Sequence, residues 1–238
     1  GNLELEPEVA HTVSADFAWH DASKQKWGLE VSPYYTRVTD YIDAERCSSA
    51  TTNQTGGTAC TDANLDVEED FVYLQFVNQS ATLYGVDVAG HYPLMESGDL
   101  GGLSLRGQLA YVNGENDTTG DDLYNMMPLN ATLALEQRKG GWRNVAEVEW
   151  VDAKSDISDT RNEQETDSYS LVHLRSSYTW KGARFDIGVE NVLDTLYSHP
   201  RGGAYLGEGK TMSDGDVAWG TTVPGMGRSL YAGVNIAF

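Results

Sequence analysis

The end of the chain most limits what it can fold into. Leu230, Ala232, Val234, Ile236 and Phe238 are apolar and alternate with Tyr231, Gly233, Asn235 and Ala237. A period of two sets the apolar residues on one face of a β-strand. In a soluble protein that face would dock into a core, yet the chain has no helical pattern or continuous apolar run able to supply one. The face must meet something else, and lipid is the natural candidate.

The same alternation recurs along the chain. Val13, Ala15, Phe17 and Trp19 share one face, and Trp27, Leu29, Val31, Pro33 and Tyr35 share the next, which predicts a hairpin turning at 22–26. A long run from Phe71 to Tyr92 keeps Val72, Leu74, Phe76, Tyr84, Val86, Val88 and Tyr92 on one parity. That constancy favours a single long strand projecting beyond a bilayer over two short strands turning at Asn78 and Gln79. Later strands carry Leu103, Leu105, Leu109 and Tyr111, then Leu129 to Leu135, then Ala146, Val148 and Trp150. Val172, Leu174, Tyr178 and Trp180, then Phe185, Ile187 and Val189, precede the closing strand, for about nine strands in all.

Connection lengths alternate as well. Short turns near 22–26, 96–101, 139–142 and 181–183 interleave with long polar segments near 43–69, 114–127, 153–167 and 194–227. Outer-membrane barrels pair short turns at one rim with long loops at the other. Trp19, Trp27, Tyr92, Trp142, Trp150 and Trp180 stand near strand ends, where aromatic girdles form. The net charge of −20 excludes a nucleic-acid partner, whose phosphates require basic patches. No segment approaches the ~20 apolar residues of a spanning helix. The residues from Gly1 hold neither the charged region nor the apolar region of a signal peptide. Nine antiparallel strands cannot close on themselves, so the count implies further strands elsewhere.

Four segments carry a family resemblance. Gly1 to Glu8 resembles the G-N-P-x-L-x-P-E segment before a late barrel strand of TonB-dependent outer-membrane receptors, with Leu3 where the family has Pro. Tyr84, Gly85, Val86, Asp87 and Val88 resemble its Y-G-[VL]-E-x strand. Asn191, Val192, Leu193, Asp194 and Tyr197 resemble its N-[LV]-F-D-x-x-Y signature, and Val223 to Ser229 its P-G-x-G-R ending. The resemblance implies an all-β, antiparallel transmembrane barrel of about 22 strands, of which residues 1–238 supply the carboxy-terminal portion. It also implies active uptake of a scarce nutrient across the outer membrane of a Gram-negative bacterium. A ferric siderophore is the leading ligand, with copper or another metal complex next. The family's plug domain and TonB box match nothing in this chain. Implied partners are outer-membrane lipid and lipopolysaccharide, the TonB complex through the missing amino-terminal region, and the barrel assembly machinery, which reads Leu230, Ala232, Val234, Ile236 and Phe238.

Cys47 and Cys60 fall in one long loop, and a disulfide between them in an oxidising setting would contribute about 3 kcal/mol. A metal pair or free thiols are the alternatives. Ligand candidates in the long loops are Met126, Met127, His199, Arg201, Tyr205, Met212 and Trp219. Thioethers with imidazole suit copper, whereas Arg and aromatic groups suit an anionic aromatic siderophore; packing at the loop base is the plainer role for Met126 and Met127. Arg106, Arg138, Arg175 and Arg184 fall on polar faces with Glu136, Glu147, Glu149, Asp186 and Glu190, predicting a lumenal charge network. Asp121, Asp122 and the Glu68, Glu69, Asp70 cluster lack the spacing of a calcium loop and read as a solvated face. No resident cofactor or metal site is expected.

Catalytic motifs are missing: there is no G-x-S-x-G, phosphate loop or H-E-x-x-H. His173 and Ser177 share a parity, but on the polar face, away from where a membrane phospholipase would need them. A small free-standing barrel, acting as a passive pore or adhesin, is the alternative reading and requires an even strand count.

Overall fold

A computed structural model of the protein describes residues 4–23, 26–47, 74–205 and 220–236. Among them, the chain forms one antiparallel sheet: β1 (Val9–Ser14), β2 (Phe17–His20), β3 (Gly28–Arg46), β4 (Leu74–Met95), β5 (Gly102–Asn116), β6 (Asn130–Lys139), β7 (Trp142–Val151), β8 (Tyr169–Trp180), β9 (Ala183–Glu190) and β10 (Ser229–Ile236). Each strand pairs with its neighbour in sequence, except that β1 and β2 both lie against β3.

The ten segments occupy nine ladder positions. Val9 pairs with Thr39 and His20 with Gly28, so the register is unchanged from one end of β1 to the far end of β2. Between them, the Ala15 amide donates to the Pro33 carbonyl at 3.2 Å. Pro33 has no N–H to return the bond, which interrupts the ladder without shifting it.

β4 is a single strand through Asn78 and Gln79. β3, however, runs on to Arg46 where a loop from about residue 43 is expected. The reason is a bulge at Asp40, whose φ of 56° places one extra residue in β3 and reverses its parity beyond that point. The Asn78 amide group holds the bulge by donating to the carbonyls of Asp40 (2.7 Å) and Glu6 (2.9 Å). Cys47, just beyond β3, is disulfide-bonded; Cys60, the other cysteine of the sequence, lies outside the described residues, as do Glu68, Glu69 and Asp70.

The turns 96–101, 140–141 and 181–182, with the β2–β3 connection, share one rim, and the long connections share the other. One apolar row crosses seven strands through Tyr92, Leu105, Leu135, Ala146, Leu174, Val189 and Leu230. Far more large hydrophobic side chains are exposed than buried, Ile187 and Leu133 at more than half of their surface. An apolar face of that extent is incompatible with water as its solvent. Ten-residue strands such as β6 and β7 rise about 33 Å along their axes, or roughly 24 Å when tilted by about 45°, the height of a barrel's apolar band. Trp19, Tyr92, Trp142 and Trp180 mark the short-turn rim, where Trp142 and Tyr178 touch at 4.8 Å between ring centres. Tyr84, Tyr111 and Trp150 mark the opposite one.

The buried apolar groups sit at the loop rim. Val38, Ala81 and Leu123 form one cluster and Val151, Tyr169 and Leu171 another. Among the described residues, loops return over the strand ends there and exclude water from both sides.

Candidate functional site

Two regions carry organised polar chemistry: the face opposite the apolar row, and the loops above it.

Alternation places Arg106, Glu136, Arg143, Glu147, His173, Arg175, Arg184 and Glu190 on the polar face. They line or adjoin a concavity of about 970 Å³ across β3 to β8. Arg175 donates to both oxygens of Glu190 (2.9 and 3.0 Å) and to Glu147 (2.9 Å). Arg184 pairs with Asp186. The Glu136 carboxylate is nearly fully buried because three guanidiniums surround it: Arg143 at 2.8 Å, Arg106 at 3.2 Å and Arg138 in direct contact. The charge network expected from sequence is therefore present, with Arg143 as a member that the parity of Val145, Glu147 and Glu149 could have revealed. His173 faces Glu190 and Glu149 from the same wall, with Ser177 buried nearby on the polar side, away from the lipid-facing row.

In the loops, Asn116 makes the first turn. Its side-chain oxygen accepts the amides of Thr118 (3.1 Å) and Thr119 (3.2 Å), an Asx turn closed by Gly120 at φ 74°. That turn delivers Asp121 to the start of a one-turn 3-10 helix, Asp159–Arg161. The Asp121 carboxylate accepts the amides of Asp159 (2.9 Å) and Thr160 (3.0 Å) and the Ser158 hydroxyl (3.0 Å). Burial opposes its charge, but these donors outweigh burial and hold Asp121 below the usual carboxylate range. Asp121 is thus a structural acceptor, not part of the solvated face expected from sequence. Asp122 differs: burial first, then the charges of Asp156, Asp121, Glu115 and Asp159, push its carboxyl upward.

Arg161 leaves the 3-10 turn to reach Asp43 at 2.7 Å and covers the ring of Tyr124 at 4.9 Å. The Arg46 Nε donates to the Thr160 carbonyl at 3.0 Å, fastening the turn to the top of β3. Lys154 and Glu163 form an ion pair with both side chains almost wholly buried. Glu163 also accepts the amides of Asn125 (2.9 Å) and Ser158 (3.0 Å), while Lys154 donates to the Pro200 carbonyl at 3.3 Å. This one pair ties the segments 117–129, 152–168 and 191–205 together, and no sequence motif pointed to it.

The ligand candidates separate. Met126 packs on the Val38 cluster and Met127 on the Val151 cluster, with a cavity of only about 40 Å³ between their loops. His199 and Arg201 are exposed, and the His199 ring accepts the Arg201 amide at 3.1 Å. Tyr205 is half-buried, its amide bonded to the Thr221 carbonyl at 2.9 Å. Met212 and Trp219 lie outside the described residues. A wider polar concavity of about 860 Å³ opens between Arg46, Asn162, Gln164 and Thr221.

The family-like segments near the end meet each other. Asn191, at φ 49°, donates to the carbonyls of Thr195 (2.9 Å) and Met226 (3.3 Å), and Asp194 accepts the Arg228 amide at 2.8 Å. These signature residues seat the last loop on β9 and β10.

Residues 1–192 match the family described as TonB dependent receptor-like, beta-barrel. The chain belongs to that family. Among solved structures, it is similar to the copper transporter OprC, with a TM-score of 0.78 and 18% identity over 99% of this chain and 32% of that one. It is also similar to the FrpB iron transporter from Neisseria meningitidis (TM-score 0.64, 14% identity, 97% of this chain and 31% of that one). The ferric yersiniabactin uptake receptor FyuA from Yersinia pestis gives the same TM-score and identity, over 97% of this chain and 30% of that one. The chain thus spans about a third of the length of these proteins. No curated protein sequence matches it.

Proposed function

We propose that the chain forms part of the wall and external loops of an outer-membrane active transporter that takes up a scarce nutrient with TonB-derived energy. The observation that carries this reading is the two-sided sheet: an apolar outer face of bilayer height backed by a densely charged polar wall, in a chain of the TonB-dependent receptor family. A free-standing small barrel would need a closed sheet, whereas among the described residues the sheet ends on open edges at β1–β2 and β10.

The ligand we favour is a ferric siderophore, ahead of copper. Exposed Arg201 and His199 and half-buried Tyr205 offer cationic and aromatic groups to an anionic chelate, whereas the thioethers of Met126 and Met127 are engaged in separate apolar clusters. TonB would act through a region outside this chain, lipopolysaccharide against the outer face, and the assembly machinery through Leu230, Ala232, Val234 and Ile236 of β10 with Phe238, which lies outside the described residues. Chemistry on substrate forms no part of this role.

Uptake by the full-length protein in an outer membrane, with the inner-membrane energy supply on and off, tests it. Energy-dependent accumulation of one ferric siderophore or copper complex is the expected result. Equal passage of small solutes in both conditions would refute active transport.

A further inference from the structure

We propose that Gln137, Lys139, Asn144 and Ser176 form a binding site for one glycerophospholipid on the outer face of the sheet, near the short-turn rim. The proposal rests on reading that face as lipid-facing, and it adds a defined site to a surface that bulk lipid would otherwise only wet.

A polar row interrupts the apolar face. Alternation places Gln137, Asn144 and Ser176 outward with Leu135, Ala146 and Leu174, and the ladder sets the three side by side on β6, β7 and β8. Asn144 stands between the other two. Its Nδ2 donates to the Gln137 Oε1 at 2.7 Å and its Oδ1 accepts the Ser176 hydroxyl at 2.6 Å, while the Gln137 Nε2 donates to the Leu100 carbonyl. Each amide nitrogen carries two hydrogens and uses one in these bonds, so two donors remain for an acceptor from outside. Polar groups set against hydrocarbon without partners are costly. The ester and phosphate oxygens of a glycerophospholipid are acceptors.

Depth and shape point to the same ligand. The row lies two residues inward from the touching rings of Trp142 and Tyr178, about 7 Å along the strands, so it sits where the hydrocarbon band gives way to the rim. Beside it a hollow of about 430 Å³ opens on the same face, left by the small Ala146 and Ser176 among Leu135, Leu174 and Ile187. An acyl chain can occupy such a furrow. On β6, Leu133 and Leu135, then Gln137, then the exposed Lys139 follow at every second residue toward the rim, in the order of acyl chain, ester and phosphate in a glycerophospholipid. Lys139 donates to the Asp99 carbonyl and pairs with no carboxylate among the described residues, so its charge is open to a phosphate.

Full-length protein in dodecyl maltoside micelles, titrated with phosphatidylethanolamine and with phosphatidylglycerol and weighed intact by native mass spectrometry, counts the lipids it retains. One molecule of either lipid held by the wild type, at least fivefold more weakly by Q137L/N144L and by K139Q but equally by K26Q, is the expected result. Lys26 is a lysine of the same rim that pairs with Glu96 at 2.7 Å beside the polar cavity, so K26Q controls for charge alone. A146F fills the hollow and keeps the polar row; it should lose the lipid as well, and it reads the site should Q137L/N144L fail to fold. No retained lipid, equal affinity in the wild type and these variants, or an equal loss in K26Q overturns the proposal. Folding of the wild type into phosphatidylcholine vesicles is measured alongside. A protein that folds there but retains no lipid in micelles loses the site and keeps its membrane-spanning reading, whereas one that does not fold there loses both.

Discussion

The ring of Tyr197 lies directly against Gly225, so closely that a Cβ on Gly225 would fall 2.2 Å from the ring. The Gly225 amide also donates to the Tyr197 carbonyl at 2.7 Å. Two segments separated by the longest loop of the chain's second half are therefore clamped face to face at the top of β9 and β10. Their shared chemistry is structural: one supplies the ring, the other the missing side chain.

Substituting Gly225→Ala should destabilise the protein by roughly 1–3 kcal/mol, the usual cost of overpacking. Y197A loses ring packing but should tolerate alanine at 225, so the double variant should be no worse than Y197A alone. Heat-modifiability on denaturing gels, which separates folded from unfolded barrel, measures both. Additive losses in the double variant would contradict the clamp.

The sheet was legible in the sequence because each strand solves one problem, apolar outward and polar inward, in residues two apart. Leu105, Leu135, Leu174 and Leu230 announce their common row without knowledge of their partners. Where a local event resets the period, the pattern fails. The αL residue Asp40 reverses the parity of β3, so Asp43 to Arg46 read as loop although they are strand. Pro33 acts differently, breaking a hydrogen bond while leaving the pattern intact. The loop site was less legible because Lys154 and Glu163 acquire their meaning only when three loops converge, and nothing in their spacing encodes that. Met126 and Met127 illustrate the converse: adjacency in sequence suggested a pair, but alternate backbone direction sends them to different clusters.

Glu163→Gln should loosen the loops more than Lys154→Met. The first leaves a buried ammonium without its counter-charge, at a cost of about 3–5 kcal/mol. The second leaves Glu163 accepting the amides of Asn125 and Ser158. Limited proteolysis of the folded protein reads the difference: cleavage within 117–129 and 152–168 should accelerate most in E163Q. Equal protection in both variants would show that the ion pair does not hold the loops.

Acidification should act on the loops in two opposed stages. Asp122 has a raised carboxyl pKa, so its charge destabilises the folded loops at neutral pH, and the penalty is relieved as pH falls through that raised value. Asp121 has a lowered one, so its stabilisation is full above the unfolded carboxylate value of about 3.9 and is lost as pH falls further. D122N should therefore stabilise at pH 7 and abolish the first stage. D121N should destabilise at pH 7 and flatten the second. Loop hydrogen exchange between pH 7 and pH 3 distinguishes these profiles from a single monotonic loss.

Leu133 and Thr132 are neighbours in β6 with opposite surroundings: Leu133 belongs to the exposed apolar face between Gly107 and Val148, and Thr132 lines the polar cavity. If the outer face meets hydrocarbon, arginine at 133 must be buried in lipid near the middle of a ten-residue strand. The cost is about 2–4 kcal/mol at the bilayer midplane. Arginine at 132 keeps water access and adds one cation to a wall that also carries Glu30 and Glu147, so its effect should be below about 1 kcal/mol. Folding of the full-length L133R and T132R proteins into lipid vesicles, followed by denaturant titration, compares the two. Equal cost at both positions would mean that the apolar row is covered by protein and not by lipid, and the membrane-spanning role of this sheet would fall with it.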